Sequence, residues 1–269
     1  MTMTWRHFPA GEQGFFRAPV LLTGATEAVL IDGGFTLEDG RKLAAAIKAT
    51  NKRLTVVYVS QSDPDYYFSL GPIRAAFPDA RFVAAEGTVA AIRASAQKKL
   101  DTWGPKLKEN GPQSLAEVVI PAPTNERKLV LEGQEIEIVD AQGLTNRRYL
   151  WVPSLRAALG GVLVFSGVHV WVADSATPAA RRAWIENLDA LMARNPSVVV
   201  PGHTADGSVT DASTIAYTRE YLVAFDEELT KASDSAALVR AMQERYPKAG
   251  MGVALDIGAK VAKGEMKWG

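Results

Sequence analysis

Short apolar runs alternate with segments of helical periodicity in the first hundred residues. The run Ala28–Ile31 is closed by an acid and two glycines, which predicts a buried strand entering a tight turn. Leu37–Ile47 carries apolar residues at helix spacing, and the β-branched run Leu54–Val59 predicts the next strand. A further strand is predicted at Arg81–Ala84 and a helix at Gly87–Lys99. Strands and helices in this order indicate an α/β layer.

The middle of the chain changes to strand-like runs joined by short polar links, which favours antiparallel pairing. These runs are Lys128–Leu131, Glu135–Asp140, Arg148–Val152 and Gly161–Phe165. A helix over Ala179–Arg194 and a strand over Ser197–Val200 follow, and from about residue 212 the pattern is amphipathic and helical. Two sheets with helices outside them predict a four-layered αββα sandwich, in a single domain over residues 1–269.

Composition excludes several classes of protein. The 269 residues include no cysteine, which rules out disulfide scaffolds, thiol catalysis and cysteine zinc sites. Thirty basic and thirty acidic residues cancel, so we expect no nucleic-acid partner. No window approaches the roughly 18 apolar residues of a membrane span, and we expect no membrane association. Trp5, Arg6 and His7 lie where a secretory signal needs apolar residues, so a cytoplasmic location is expected.

Two polar loops follow strongly apolar strands, at the strand ends where ligands collect in α/β folds. They are Ser60–Phe68, with its two aspartates, and Val200–Thr204, with His203. Together with Leu30–Gly34 and the order of elements, these loops resemble the metallo-β-lactamase superfamily over roughly residues 18 to 205. The resemblance implies the αββα sandwich of that superfamily. It also implies a hydrolase that uses metal-bound hydroxide.

The metal ligands are largely replaced in this sequence. The resemblance assigns ligand positions, in chain order, to Gln61, Asp63, Asp65, Tyr66, Leu144, Gly161 and His203. Leucine and glycine coordinate nothing, so we expect no dinuclear zinc centre. The polar residues left at the ligand positions predict at most one divalent ion, Zn, Mn or Fe. Asp63, Asp65 and His203 would hold it, together with Gln61. The alternative is that Asp63 and Asp65 cap the helical turn that begins near Tyr66.

Candidate roles follow for a few more residues. Asp65, His203 and His169 are the candidate catalytic groups, although a histidine between valines is also typical of a hydrogen-bonded structural residue. Three aromatic residues near the presumed cleft, Tyr66, Tyr67 and Trp171, are the candidate substrate contacts, the alternative for the tyrosines being inward packing. We expect Asp32 to fix the site loop rather than perform chemistry.

Two functions from different classes remain open. The first is a hydrolase, not a true β-lactamase, acting on an ester, lactone, thioester or amide of a small molecule through the altered metal site. The alternative is a pseudoenzyme that binds a small ligand or a protein partner in the retained cleft. Metal-free acid–base catalysis by Asp65 with His203 or His169 is a third hypothesis, for which no nucleophile is evident. A homodimer is compatible with either function.

Overall fold

The structure, a computed structural model, describes residues 3–268. Its larger sheet has six strands in chain order, antiparallel at first and parallel from the third strand onward. The strands are β1 (Thr4–His7), β2 (Val20–Thr23), β3 (Glu27–Ile31), β4 (Arg53–Val59), β5 (Arg81–Ala85) and β6 (Ala122–Thr124).

The second sheet has five strands, and a parallel pair of short strands lies apart from it. The five, in chain order, are β7 (Lys128–Leu131), β8 (Gln134–Asp140), β9 (Arg148–Val152), β10 (Ala157–Leu159) and β12 (Val198–Val199). Strands β7, β8 and β9 pair antiparallel, as predicted. Strand β10, which the pattern does not predict, pairs antiparallel with β9, and β12 joins β10 in parallel. The short pair consists of β11 (Phe165–Ser166) and β13 (His203–Thr204).

Helices cover the outer faces of the sheets. They are α1 (Leu37–Ala49), α2 (Leu70–Ala76), α3 (Glu86–Leu107), α4 (Pro178–Ala193), α5 (Ser213–Lys231), α6 (Ser235–Arg245) and α7 (Gly252–Ala262). Within residues 3–268, no helix combines the length and the apolar character that crossing a membrane requires.

Alternation along the strands divides the core into two parts. In β3, Val29 and Ile31 contribute to the cluster between the sheets, whereas Leu30 faces the cluster under the helices. In β9, Leu150 faces the other sheet and Trp151 faces the helices. Because successive side chains of a strand point to opposite faces, each sheet is covered on both sides. The predicted αββα layering is therefore confirmed.

Two local predictions differ from the structure, and the first two strands were not predicted. The strand predicted over Gly161–Phe165 is wrong, because Gly160 and Gly161 both have positive φ and turn the chain between β10 and β11. Helix α3 extends eight residues past the predicted Lys99, to Leu107. Strands β1 and β2 lie before the first element that the pattern predicts.

Glu132 ties the two sheets together at one end. It and Gly133 form the two-residue turn between β7 and β8, both with positive φ. The Glu132 carboxylate accepts hydrogen bonds from the backbone N–H groups of Ala25, Thr26 and Glu27, at 2.7, 2.6 and 2.9 Å. These hydrogen bonds lower the pKa of Glu132 to about 2. A turn of the second sheet thus caps the β2–β3 turn of the first.

We expect this cap to make the free energy of unfolding depend on pH in the acidic range. Because the folded-state pKa of Glu132 lies below its ordinary value of 4.5, its contribution is complete above about pH 4.5 and is lost as the pH falls toward 2. Glu132→Gln should therefore be less stable than the parent at pH 6, and the difference in the free energy of unfolding should shrink by pH 3. Urea titrations at both pH values measure it. Glu135→Gln, in the exposed Lys128–Glu135 pair, is the control. If Glu132→Gln and the parent differed by the same free energy of unfolding at both pH values, Glu132 would not be the cap described here.

Candidate functional site

Asp65 and His203 are brought together from distant parts of the chain. Asp65 lies in a single helical turn after β4, and His203 opens β13. The Asp65 Oδ2 atom is 3.6 Å from Nε2 of His203. Both residues are buried, at 8% and 4% exposure, so their loops do not leave them in solvent.

A buried arginine that the sequence analysis did not identify lies beside this pair. Arg17 is fully buried, and its Nε atom is 3.7 Å from Asp65 Oδ2. Its Nη2 donates to Asp32 Oδ2 at 3.3 Å, and its Nη1 donates to the carbonyl of Gly202. The guanidinium carbon lies 3.5 Å from the centre of the Tyr66 ring, a cation–π contact. A fixed positive charge therefore faces two carboxylates at the centre of the site.

Asp32 connects this cluster to neighbouring loops. Its carboxylate accepts from the Ser60 N–H at 2.7 Å and from the Ser60 hydroxyl at 2.8 Å. The Ser60 hydroxyl oxygen in turn accepts from the Gly161 N–H at 2.9 Å. Burial raises the pKa of Asp32, and the Arg17 charge and the Ser60 hydrogen bonds oppose the rise. The predicted loop-fixing role of Asp32 is confirmed by these contacts.

His203 is a neutral imidazole in a defined tautomer. Its Nδ1 lies 2.7 Å from the carbonyl oxygen of Phe15, which can only accept, so Nδ1 carries the proton. Burial and the Arg17 charge lower the pKa of His203 to about 3. Nε2 therefore presents a lone pair toward Asp65 and toward the Tyr66 hydroxyl, which lies 3.5 Å away and donates to the Gly161 carbonyl at 3.0 Å.

Burial raises the pKa of Asp65 to about 7, against the opposing charge of Arg17 and with a smaller contribution from Asp63. A neutral imidazole acceptor thus lies next to a carboxyl that changes protonation near neutral pH. This arrangement is chemically suited to proton transfer.

The other two predicted metal residues line a cavity. Gln61 and Asp63 line a cavity of about 350 Å³, together with residues of the 143–147 segment and of the turn after residue 173. Asp65 and His203 are not among its lining residues. The Asp63 carboxylate is 3.5 Å from the Lys99 ammonium.

Asp65 and His203 face each other, whereas Gln61 and Asp63 line the cavity. Among residues 3–268, no group of three histidine, aspartate or glutamate side chains is arranged to hold a metal ion. This geometry corrects the four-residue set of Asp63, Asp65, His203 and Gln61.

The remaining predicted site residues contact other parts of the core. His169 Nδ1 is 2.9 Å from the hydroxyl of Tyr221 on α5, a structural pairing. Tyr66 and Tyr67 are 1% and 0% exposed, because both pack inward, and so have no surface for a substrate. Trp171 packs against the Trp268 ring at 5.3 Å. These four residues are absent from the cavity wall formed by the described residues.

The sequence profile of the Metallo-beta-lactamase superfamily matches residues 14–203, well over half of the chain. The chain belongs to the metallo-beta-lactamase superfamily. Among solved structures, the crystal structure of VMB-1 at pH 5.5 is similar in fold, with a TM-score of 0.53 and 16% sequence identity. The match covers 82% of this chain and 91% of that one. The comparison with curated proteins finds no match.

Superfamily members typically bind zinc or other divalent metals, and the residues present here do not fit such an ion. Asp65 and His203 supply only two donors, and Leu144 supplies none. The Arg17 guanidinium already pairs with both carboxylates, so a metal ion at Asp65 would be held against a fixed, buried positive charge.

The backbone also excludes a ligand side chain at position 161, which the resemblance assigns to a metal ligand. Gly161 has a φ of +73°, and a Cβ there would overlap the carbonyl of Arg148, so position 161 offers no room for a ligand side chain.

Sequence reasoning missed Arg17 because its partners are remote in the chain. The available signal was a lone arginine between Phe16 and Ala18, directly before the apolar run of β2. A charged residue in such a setting is buried only when it is paired.

Replacing this arginine should be costly. Arg17→Met leaves the buried Asp32 and Asp65 carboxylates without their counter-charge, so we expect a loss of about 3–5 kcal/mol in the free energy of unfolding. Urea denaturation measures the loss. Arg53→Met removes an arginine from an exposed pair with Glu27 and should cost at most about 1 kcal/mol. In the double variant Arg17→Met/Asp65→Asn, part of the loss should return. If Arg17→Met and Arg53→Met lost the same free energy of unfolding, Arg17 would not be the central counter-charge.

Proposed function

We propose that this superfamily member binds a small polar molecule in the cavity beside Gln61 and Asp63, without metal-bound hydroxide. The observation that carries the proposal is the buried Arg17 guanidinium, which pairs with Asp32 and with Asp65, one of the predicted metal ligands. An ion that activates water needs an open coordination position and a suitable donor set. Two donors beside a fixed positive charge do not provide these.

The cavity supports a binding function. Its volume of about 350 Å³ lies within the range of small-molecule sites. Its wall combines Ala91 and Leu144 with amide, hydroxyl and charged side chains. Asp65 and His203 lie outside this wall, so a molecule in the cavity does not meet the pair most suited to proton transfer.

The superfamily fold supports a hydrolase-like function, and one observation favours hydrolysis as the second candidate. Asp65 and the neutral His203 are 3.6 Å apart, with the pKa of Asp65 raised to about 7. Such a pair can act as general base and acid on an ester, lactone, thioester or amide. Reaching it would require local opening of the chain, because both residues are almost fully buried.

Blocking the cavity tests the binding function. Ala91 on α3 lines the cavity, and Ala94, three residues later, is exposed. The full chain should be stabilised in thermal melts by at least one fraction of a cellular small-molecule extract. Ala91→Trp should abolish that stabilisation by filling the space, and Ala94→Trp should retain it. Stabilisation that survives in Ala91→Trp would refute binding in this cavity.

The same preparations distinguish binding from turnover. We expect no stoichiometric metal by elemental analysis and no hydrolysis in a panel of esters, lactones, thioesters and amides. Turnover that disappears in both Asp65→Asn and His203→Gln would instead support the hydrolase. Activity that depends on added zinc would refute the metal-free interpretation.

A further inference from the structure

A second cavity, of about 440 Å³, lies beside β6, the edge strand of the larger sheet. Its wall combines the start of β5, the segment that leads into β6, and one arginine each from α2 and α3. We call it the arginine cavity, because Arg74, Arg81 and Arg93 line it. None of the described residues 3–268 lines both this cavity and the one beside Gln61 and Asp63.

The arginine cavity has an unbalanced positive charge. Within the described part of the chain, its wall holds three arginines and no acid. Glu126, outside the wall, balances one of them, since Arg81 Nη2 donates to its Oε1 at 2.9 Å. Among residues 3–268, neither Arg74 nor Arg93 forms an ion pair with a carboxylate. All three arginines are exposed, so a molecule in the cavity can reach them.

The Arg74 guanidinium is positioned by an aromatic ring of the same wall. Its central carbon lies 4.2 Å from the centre of the Phe82 ring. A cation–π contact of this kind restricts the side chain without neutralising its charge. The cation therefore loses less conformational freedom when an anion binds to it.

The remainder of the wall is apolar. It consists of Ala80, Phe82, Val83 and the segment 120–123, which reads Ile-Pro-Ala-Pro. Pro121 and Pro123 have no backbone N–H, so this edge of the sheet offers few donors to an added peptide strand. A compact molecule with an apolar part suits such a wall better than an extended peptide does.

We propose that the arginine cavity binds a phosphate monoester that carries a small apolar group. The phosphate pairs with Arg74 and Arg93, and the apolar group packs against Ile120 and Pro123. Guanidinium groups bind phosphate oxygens through paired N–H···O hydrogen bonds. A phosphate monoester has a charge of about −2 above pH 7, which matches the two unbalanced guanidinium groups. The arginine cavity is separate from the cavity of the proposed function, so either site can fail without the other.

Three probes with the same phenyl ring and different charges test the ligand class. At about pH 7.5, phenyl phosphate is a dianion, benzenesulfonate is a monoanion and benzenesulfonamide is neutral. In titrations of the full chain at low salt, phenyl phosphate should shift the amide resonances of residues 80–83 and 93. It should bind at least about threefold more tightly than the sulfonate and about tenfold more tightly than the sulfonamide, because it balances both charges.

Inorganic phosphate is the control for the apolar group. It should bind at least about threefold more weakly than phenyl phosphate, since it buries no apolar surface. If benzenesulfonamide or inorganic phosphate bound as tightly as phenyl phosphate, the proposal would be overturned. Shifts at residues 61–63 and 143–147 without shifts at 80–83 would overturn the location.

Variants test the two arginines. Arg74→Gln and Arg93→Gln should each weaken binding of phenyl phosphate at least about threefold, and the double variant should weaken it about tenfold. Arg240→Gln removes an exposed arginine of α6 outside both cavities and should leave the affinity unchanged. Because these arginines are exposed, all variants should melt close to the parent, which separates lost binding from lost folding. Equal weakening by Arg240→Gln would show an effect of net charge alone and would overturn the site.

The neighbouring acid gives a test in the opposite direction. Glu126→Gln leaves Arg81 without its counter-charge, so we expect phenyl phosphate to bind about twofold or more tightly in this variant. Weaker binding in Glu126→Gln would contradict a site in which the positive charge of these arginines attracts the ligand.

Discussion

One buried positive charge organises the centre of this molecule. The Arg17 guanidinium joins the segment before β2, the end of β3 through Asp32, the turn after β4 through Asp65, and the approach to β13 through Gly202. A charge removed from water is stabilised only when opposite charges and hydrogen bonds surround it. Both carboxylates meet that need. Burial raises the pKa of both acids, and the Arg17 charge opposes that rise in each.

Local pattern predicts much of the fold and little of the site. Ala28–Ile31 and Leu54–Val59 are read correctly as strands because their apolar runs are set by burial on both faces. The helix predicted at Ala179–Arg194 differs from α4 by one residue at each end. The apolar run Gly161–Phe165 was wrongly predicted as a strand. It is buried but not extended, because Gly160 and Gly161 both have positive φ and turn the chain there.

The site depends on pairings that no local pattern records. Arg17 and Asp65 are 48 positions apart in the sequence, and neither residue by itself indicates the other. The family resemblance correctly indicated that Asp65 and His203 lie together, but it did not indicate where the side chains of neighbouring residues point. Asp63, two residues from Asp65, turns instead toward Lys99 and the cavity. Side-chain direction after a strand end is set by turn geometry, so a set of ligands aligned by position need not converge in space.

The crossing of two glycine backbones has a consequence for protein engineering. A Cβ at Gly161 would overlap the Arg148 carbonyl, and a Cβ at Gly202 would overlap the Gly161 carbonyl and lie 3.2 Å from Arg17 Nη1. The backbone segments at Gly161 and Gly202 therefore pack directly against each other beside Arg17, and there is no space for an added side chain at either position. Converting this scaffold into a metalloenzyme would require rerouting these segments together with replacing Arg17. Grafting histidines onto the existing backbone would not suffice, because neither Gly161 nor Gly202 has room for a Cβ atom.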